Sequence, residues 1–354
     1  MDSRILEDTD IVLKDVLDKI QAEKLILTCV EKNDIDNLQL LLKLKLKPNL
    51  NISNDEGYTA LILATKNSKD SRIVSLLLNA NADPNIPSKI KNTPLMWAAN
   101  KGCVSSLNAI IEAKATVNDQ NEIGWSALHY AAERKDSAFV SALLEAKANV
   151  NSKSINNRTP LIYAIKHCNR ASAEMLLNAD ADINVADKDG CTPLLVAANE
   201  GDSVLVKALI EAKANLEAKL EKHLDTPLIC AARSMQYACV QTLIEASANL
   251  EAKDEHGDTA LVWAAYRGDS VSLKALIDAG ANIEVKDQFN KSPLEIAKRK
   301  GSTACVLLLK EALAAKPKWY DNFFTSWNRS EPPRTKKDYI ELPIAEPSQS
   351  RPYS

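Results

Sequence analysis

Apolar and polar residues along this chain follow a pattern that repeats every 33 or 34 residues. Each period contains a leucine followed three positions later by an alanine, and then an aliphatic run such as Leu77-Leu78 or Leu143-Leu144. Positions three residues apart share one face of a helix, so each period predicts two short helices with one apolar face. A single helix pair cannot bury that face alone, whereas a stack of pairs forms a continuous core.

A recurring phrase marks where the first helix of each pair begins. Thr or Ser is followed by Pro or Ala and then by Leu, and the phrase starts at Thr59, Thr93, Ser126, Thr159, Thr192, Thr226, Thr259 and Ser292. A Thr or Ser hydroxyl can accept a hydrogen bond from a free amide at a helix N-terminus, and Pro is tolerated at the first helical position. We therefore predict a helix N-terminus at each phrase.

The phrase and its period resemble the ankyrin-repeat family, whose signature is a 33-residue unit containing T-P-L-H-x-A. The motif spans residues 54 to about 315, and a degenerate first unit with Ile26 and Cys29 extends the array back to about residue 20. The resemblance implies an all-α repeat solenoid of about nine helix–turn–helix units with β-hairpin or turn connections and short terminal caps. We expect an N-terminal capping helix over 1–20, the repeat domain over 21–315 and a tail over 316–354.

Glycine usually follows the second helix in this family, but six units carry another residue there. These residues are Asn81, Lys114, Lys147, Asp180, Lys213 and Ser247. If they adopt the left-handed conformation, each costs about 1 kcal/mol relative to glycine. The expected consequence is a less stable array with an unchanged fold.

The tail differs in composition from the repeats, since it has no glycine and six of the 14 prolines. Five of its aromatic residues fall on one face of a short predicted helix: Trp319, Tyr320, Phe323, Phe324 and Trp327. We favour an interpretation in which this face covers the last repeat. The alternative is an aromatic face that binds a partner or a membrane. Beyond Arg329 the composition predicts disorder.

Neither the composition nor any motif indicates an enzyme. The net charge of −3 lacks the basic balance of a nucleic-acid-binding domain. The seven cysteines form no C-x-x-C pair, and the four histidines have no cysteine at zinc-ligand spacing. No glycine-rich phosphate loop, signal peptide or membrane-length apolar run occurs. We expect no cofactor, no metal and no nucleic acid, and a cytoplasmic monomer with a protein partner.

The resemblance implies that a partner binds on the concave side, through the hairpin tips and the first helices. Two positions after the motif leucine, the residues are Leu63, Trp97, Tyr130, Tyr163, Val196, Cys230, Trp263 and Ile296. Just before the motif Thr or Ser, they are Tyr58, Asn92, Trp125, Arg158, Cys191, Asp225, Asp258 and Lys291. We expect Trp97, Tyr130 and Tyr163 to form an aromatic ladder beside an exposed Trp125. The alternative is that the three ladder rings are partly packed between neighbouring helices. The candidate binding residues are Tyr58, Trp97, Trp125, Tyr130, Arg158, Tyr163, Trp263 and Tyr266.

Three functions fit this sequence. The leading hypothesis is an adaptor or scaffold that binds protein through the concave face. A second is an effector of an intracellular bacterium translocated into the host cytosol, because the Asn- and Lys-rich, Gly-poor repeats and polar C-terminus resemble such proteins. A third is a substrate-recruiting subunit whose aromatic tail docks a catalytic partner.

Overall fold

A computed structural model describes residues 3–43, 47–67 and 71–315 of the chain. Within these ranges it contains 18 α-helices. Their bounds are α1 Ser3–Glu31, α2 Ile35–Leu42, α3 Ala60–Asn67, α4 Ser71–Asn79, α5 Pro94–Lys101, α6 Val104–Glu112, α7 Ala127–Glu133, α8 Ala138–Glu145, α9 Pro160–Lys166, α10 Arg170–Asn178, α11 Pro193–Glu200, α12 Ser203–Glu211, α13 Pro227–Arg233, α14 Tyr237–Glu245, α15 Ala260–Arg267, α16 Ser270–Asp278, α17 Pro293–Lys300 and α18 Thr303–Ala314.

The helices form nine consecutive pairs, α1 with α2 through to α17 with α18. Each odd-numbered helix packs against the next odd-numbered helix, and each even-numbered helix against the next even-numbered one. The result is two parallel layers of helices in which contacts run from neighbour to neighbour. The predicted all-α repeat solenoid is therefore confirmed, and nine pairs agree with the predicted count of repeats.

The core lies between the two layers and follows the motif. The alanine three positions after each motif leucine is no more than 1% exposed in all eight units with the phrase, and the leucines are equally buried except for half-buried Leu294. Small alanine side chains let adjacent first helices approach closely. The threonine hydroxyls of Thr93, Thr192 and Thr226 accept hydrogen bonds from amides in the first turn of their helices, as the phrase predicts.

The N-terminal helix differs from the expected short cap. Helix α1 runs without a break from Ser3 to Glu31, so residues 3–20 do not form a separate helix and the boundary at residue 20 falls inside α1. No Pro or Gly lies in this range to end a helix, which explains the continuity. The part of α1 that packs into the array includes Ile26 and Val30, both nearly fully buried.

All six residues that replace the glycine after the second helix adopt positive φ angles, from 60° at Asp180 to 71° at Lys213. At Lys114 the amide donates to the carbonyl of Ile111, and the next amide, from Ala115, donates to the carbonyl of Ile110. This pair of bonds is the Schellman arrangement that closes a helix C-terminus, in which a left-handed residue is required. The expected left-handed conformation is present, with the energetic cost that goes with it.

A chain of side-chain hydrogen bonds links the loops of successive repeats. An oxygen in one loop accepts from a backbone amide 31 or 32 residues later, with distances of 2.7 to 2.9 Å. The acceptors are the side chains of Asn51, Asn85, Asn118, Asn151, Asn184, Glu217 and Glu251. In this loop ladder, five of the seven acceptors are asparagines, and each acceptor satisfies an amide of the next unit.

Candidate protein-binding face

The residues just before each first helix and the outward positions of that helix form a single surface, here called the hairpin–helix face. Tight turns support it: the amide of Asn121 donates to the carbonyl of Trp125, and the amide of Ser154 to that of Arg158. Neighbouring turns are also joined directly, since the amide of Ile155 donates to the carbonyl of Ile123. The face is therefore a rigid backbone frame on which side chains from successive repeats meet.

His129 ties two turns together, as the motif position implies. Its Nδ1 accepts from the backbone amide of Ser126 at 3.0 Å, so the proton is on Nε2, which lies 3.1 Å from the carbonyl oxygen of Arg158 in the next turn. Burial lowers the pKa of His129 to about 4. The ring is therefore neutral near pH 7 and holds the turns together rather than serving as an acid or base.

The central aromatic cluster consists of Trp125, Tyr130 and Tyr163. The Trp125 ring centroid lies 4.8 Å from that of Tyr130 and 4.6 Å from that of Tyr163, within the range of favourable aromatic contacts. Trp125 is half-buried rather than exposed, and Tyr163 is only 7% exposed. The expectation of an exposed Trp125 is therefore wrong, because its ring packs between the tyrosines of two repeats.

Trp97 belongs to a separate cluster. Its ring meets Tyr58 of the preceding repeat edge to face, with centroids 5.8 Å apart. The ammonium of Lys66 lies 4.2 Å from the Tyr58 centroid and 5.5 Å from that of Trp97, a cation–π arrangement. The expected three-residue ladder is thus divided: Trp97 pairs with Tyr58, whereas Tyr130 and Tyr163 share Trp125.

A third aromatic cluster lies further along the face. Trp263 and Tyr266 have centroids 5.6 Å apart, and Nε1 of Trp263 donates to the Asp254 carboxylate at 2.9 Å. The Lys300 ammonium lies 3.6 Å from the Tyr266 centroid and lowers the pKa of that phenol, mainly through a hydrogen bond. Tyr266, 40% exposed, is the most accessible ring of the three clusters.

Two ion pairs on this face involve fully or nearly fully buried aspartates. Nε of Arg158 lies 2.7 Å from Oδ2 of Asp187, and Nη2 of Arg233 lies 2.5 Å from Oδ2 of Asp225. The hydrogen bond with Asp187 raises the pKa of Arg158. Burial raises the pKa of Asp225, and the Arg233 charge opposes that effect. From the sequence, Arg158 was selected as a candidate binding residue and Arg233 was not. The signal for Arg233 was its position at the end of α13, close to an aspartate that precedes the same helix.

Burial also shifts the pKa values of other titratable groups on this face. Burial raises the pKa of Cys191 to about 11 and that of Cys230 to about 12, so both thiols are neutral near pH 7. Burial and the charges of Asp254 and Asp287 raise the pKa of Asp258 to about 6. In the described ranges, no three His, Cys, Asp or Glu side chains are grouped so that they could hold a metal ion.

Comparison with known families identifies the repeat unit. The family model described as "Ankyrin repeats (3 copies)" matches residues 25–121, 95–187, 173–254 and 239–318, which together cover most of the chain. The chain therefore belongs to the ankyrin-repeat family. Ankyrin repeats generally mediate protein–protein interaction and are typically non-catalytic. No curated protein matches the chain. Among the described helices, none is long and apolar enough to cross a membrane.

The predicted tail face lies outside the described residues. It comprises Trp319, Tyr320, Phe323, Phe324 and Trp327.

Proposed function

We propose that this chain is a non-catalytic adaptor that binds a partner protein through the hairpin–helix face. The observation that supports this function is the series of three aromatic clusters on that face, in repeats two and three, four and five, and eight. Five of their rings, those of Tyr58, Trp97, Trp125, Tyr130 and Trp263, are half-buried, and Tyr266 is exposed.

Half-buried rings on a rigid frame suit protein recognition for a physical reason. Tryptophan, tyrosine and arginine supply most of the binding energy at protein interfaces, and rings already held by their neighbours lose little conformational entropy when a partner binds. Lys66 and Lys300 lie against the rings of two clusters and add charge at their edges. A partner with an apolar patch and acidic residues around it would complement this arrangement.

The test is capture of partners from a lysate by the full chain and by the Trp97→Ala/Trp125→Ala double variant, with mass spectrometry to identify them. Removing two hot-spot rings should weaken capture at least about tenfold. Circular dichroism must show that the variant keeps its helix content, because both rings also pack within the array.

A control variant removes two exposed apolar side chains elsewhere in the array. Val271 on α16 and Leu307 on α18 are 52% and 54% exposed and belong to the other helix layer. Val271→Ala/Leu307→Ala should retain the partner. If the folded tryptophan variant captures the partner as well as the native chain does, the aromatic clusters are not the binding site. If only the control variant loses it, binding occurs on the second helices.

The tail allows the same experiment to address the other hypotheses. A chain ending at residue 315 that keeps the partner would place recognition in the repeats and leave the tail as a cap or a secretion address. Loss of the partner with a folded array would favour a docking role for the tail, as in a substrate-recruiting subunit. An effector would instead lose translocation when about the last 25 residues are removed. Cytoplasmic location and a monomeric state are part of the proposal, and size-exclusion chromatography tests the latter.

A further inference from the structure

The hairpin–helix face contains a pocket in repeats five to seven, between the central and the third aromatic clusters. Its volume is about 280 Å³. The residue two positions after the motif leucine changes from Tyr163 to Val196 and Cys230 before returning to Trp263, and the smaller side chains leave room for the pocket. Two successive repeats thus lack a ring where the flanking repeats carry one.

Half of the residues that line the pocket present an apolar inner surface. It is formed by Ile162, Leu195 and Val196 of the first helices, Leu220 of a turn, and the thiols of Cys191 and Cys230. Because burial keeps both thiols protonated near pH 7, they present soft apolar surface. An aliphatic side chain placed here would leave water for a dry surface, which is the main source of affinity for such a group.

Guanidinium groups stand on opposite sides of this surface. Arg158 lines the pocket from repeat five and Arg233 from repeat seven, with side chains 23% and 27% exposed. Each is held by an aspartate that is itself 1% exposed or less, Asp187 and Asp225 respectively. A ligand that enters the pocket therefore meets both guanidinium groups. Asp187 also lines the pocket, with its carboxylate almost fully buried against Arg158, whereas Asp225 is not part of the lining.

Both arginines retain hydrogen-bonding capacity. Arg158 uses Nε and Nη2 for Asp187 and Asp189, so its Nη1 donors have no acceptor among the described residues. Arg233 contacts Asp225 through Nη2 alone. At the rim, the opposite charges of exposed Lys166 and Glu200 offset one another. Guanidinium groups pair with carboxylates through parallel hydrogen bonds, which makes a carboxylate the best match for the free donors.

We propose that this pocket binds a segment of a partner protein that inserts one aliphatic side chain and places a carboxylate next to it, between Arg158 and Arg233. The pocket has room for a single aliphatic side chain with a carboxylate next to it. The inference rests on the proposed function only in that the ligand is a protein segment. It does not require the aromatic clusters to contact the same partner.

The experiment is selection of a phage-displayed library of random 12-residue peptides against the full chain, followed by binding measurements on synthetic copies of the enriched peptides. Enriched sequences should share an aliphatic residue beside Asp or Glu. Val196→Trp, which adds the ring that neighbouring repeats already carry, should weaken their binding at least about tenfold. Val271→Trp makes the same exchange at an exposed site on the other helix layer and should leave binding unchanged.

The outcomes separate clearly. Absence of enrichment, enrichment of basic peptides, or equal binding by Val196→Trp would each overturn the pocket assignment. If Val196→Trp fails to fold, Cys191→Tyr fills the pocket from the turn position that carries Tyr58 and Trp125 in other repeats. If no peptide binds in the pocket but the Trp97→Ala/Trp125→Ala variant loses the partner that the native chain captures, the pocket assignment is refuted and the proposed function stands. If peptides bind in the pocket but the folded double variant keeps the partner, the pocket assignment stands and the aromatic clusters are not the binding site.

Discussion

Replacing three lysines by glycine should stabilise the array. Lys114, Lys147 and Lys213 follow the second helices of their repeats with φ of 64°, 62° and 71°, and all three side chains are exposed. A left-handed L-residue costs about 1–2 kcal/mol, and the greater freedom of glycine in the unfolded chain returns about 0.4–1 kcal/mol of that. The net gain is about 0.5–1 kcal/mol per site. Since the sites lie in separate repeats, the triple variant should gain about 1.5–3 kcal/mol.

Urea unfolding followed by far-ultraviolet circular dichroism measures this gain as a higher midpoint with an unchanged slope. Two controls separate backbone strain from charge. The triple Lys→Gln variant at the same sites removes the charges but keeps the β-carbons, so it should stay within about 0.5 kcal/mol of the native chain. Lys207→Gly, within α12, should lose about 1 kcal/mol because glycine is unfavourable inside a helix. A triple glycine variant no more stable than the triple glutamine variant would refute the reasoning.

Urea unfolding also tests three electrostatic predictions. Because the folded-state pKa of His129 is lowered to about 4, its stabilisation is complete above pH 6.5 and is lost as the pH falls towards 4. As the pH falls from 7 to below 4, the free energy of unfolding of the native chain should therefore decrease by up to about 3 kcal/mol more than that of His129→Gln. The same pH dependence in both proteins would contradict this. The pKa of Asp258 is raised to about 6, so Asp258→Asn should add about 1–2 kcal/mol at pH 7 and nothing below pH 3.8; a gain independent of pH would exclude this cause. Arg233→Met should cost about 3 kcal/mol by leaving Asp225 buried and unpaired, and adding Asp225→Asn should recover most of it. If the second change restores nothing, the arginine acts through packing alone.

Features set by short-range geometry could be predicted from the sequence. The hydroxyl of Thr93 caps its helix, and Lys114 takes the left-handed conformation, because each depends on only a few neighbouring residues. The 33-residue period then specifies how the pairs stack, since every unit presents the same Leu and Ala face. The unbroken α1 was missed although the sequence around residue 20 contains nothing that ends a helix.

Features that depend on side-chain direction across repeats could not be predicted. The sequence places Trp97, Trp125, Tyr130 and Tyr163 on one face, but ring orientation decides that Trp125 reaches Tyr163 while Trp97 turns to the preceding repeat. The sequence shows which equivalent positions lie side by side along the face, but it does not show which rotamer each side chain adopts. The same limit hid the arginine–aspartate pairs and the pocket, which depends on side chains from three repeats.

The loop ladder has a consequence for how proteins of this kind can change in length. Each hydrogen bond of the ladder joins one repeat to the next across 31 or 32 residues, and none of them reaches a more distant repeat. Loss or duplication of one whole repeat would bring an equivalent acceptor and amide together again, whereas a change of any other length would leave them unmatched. Repeat number is therefore free to vary over generations. The pocket of repeats five to seven limits this freedom, since deleting its middle repeat would remove Cys191 and Val196 together.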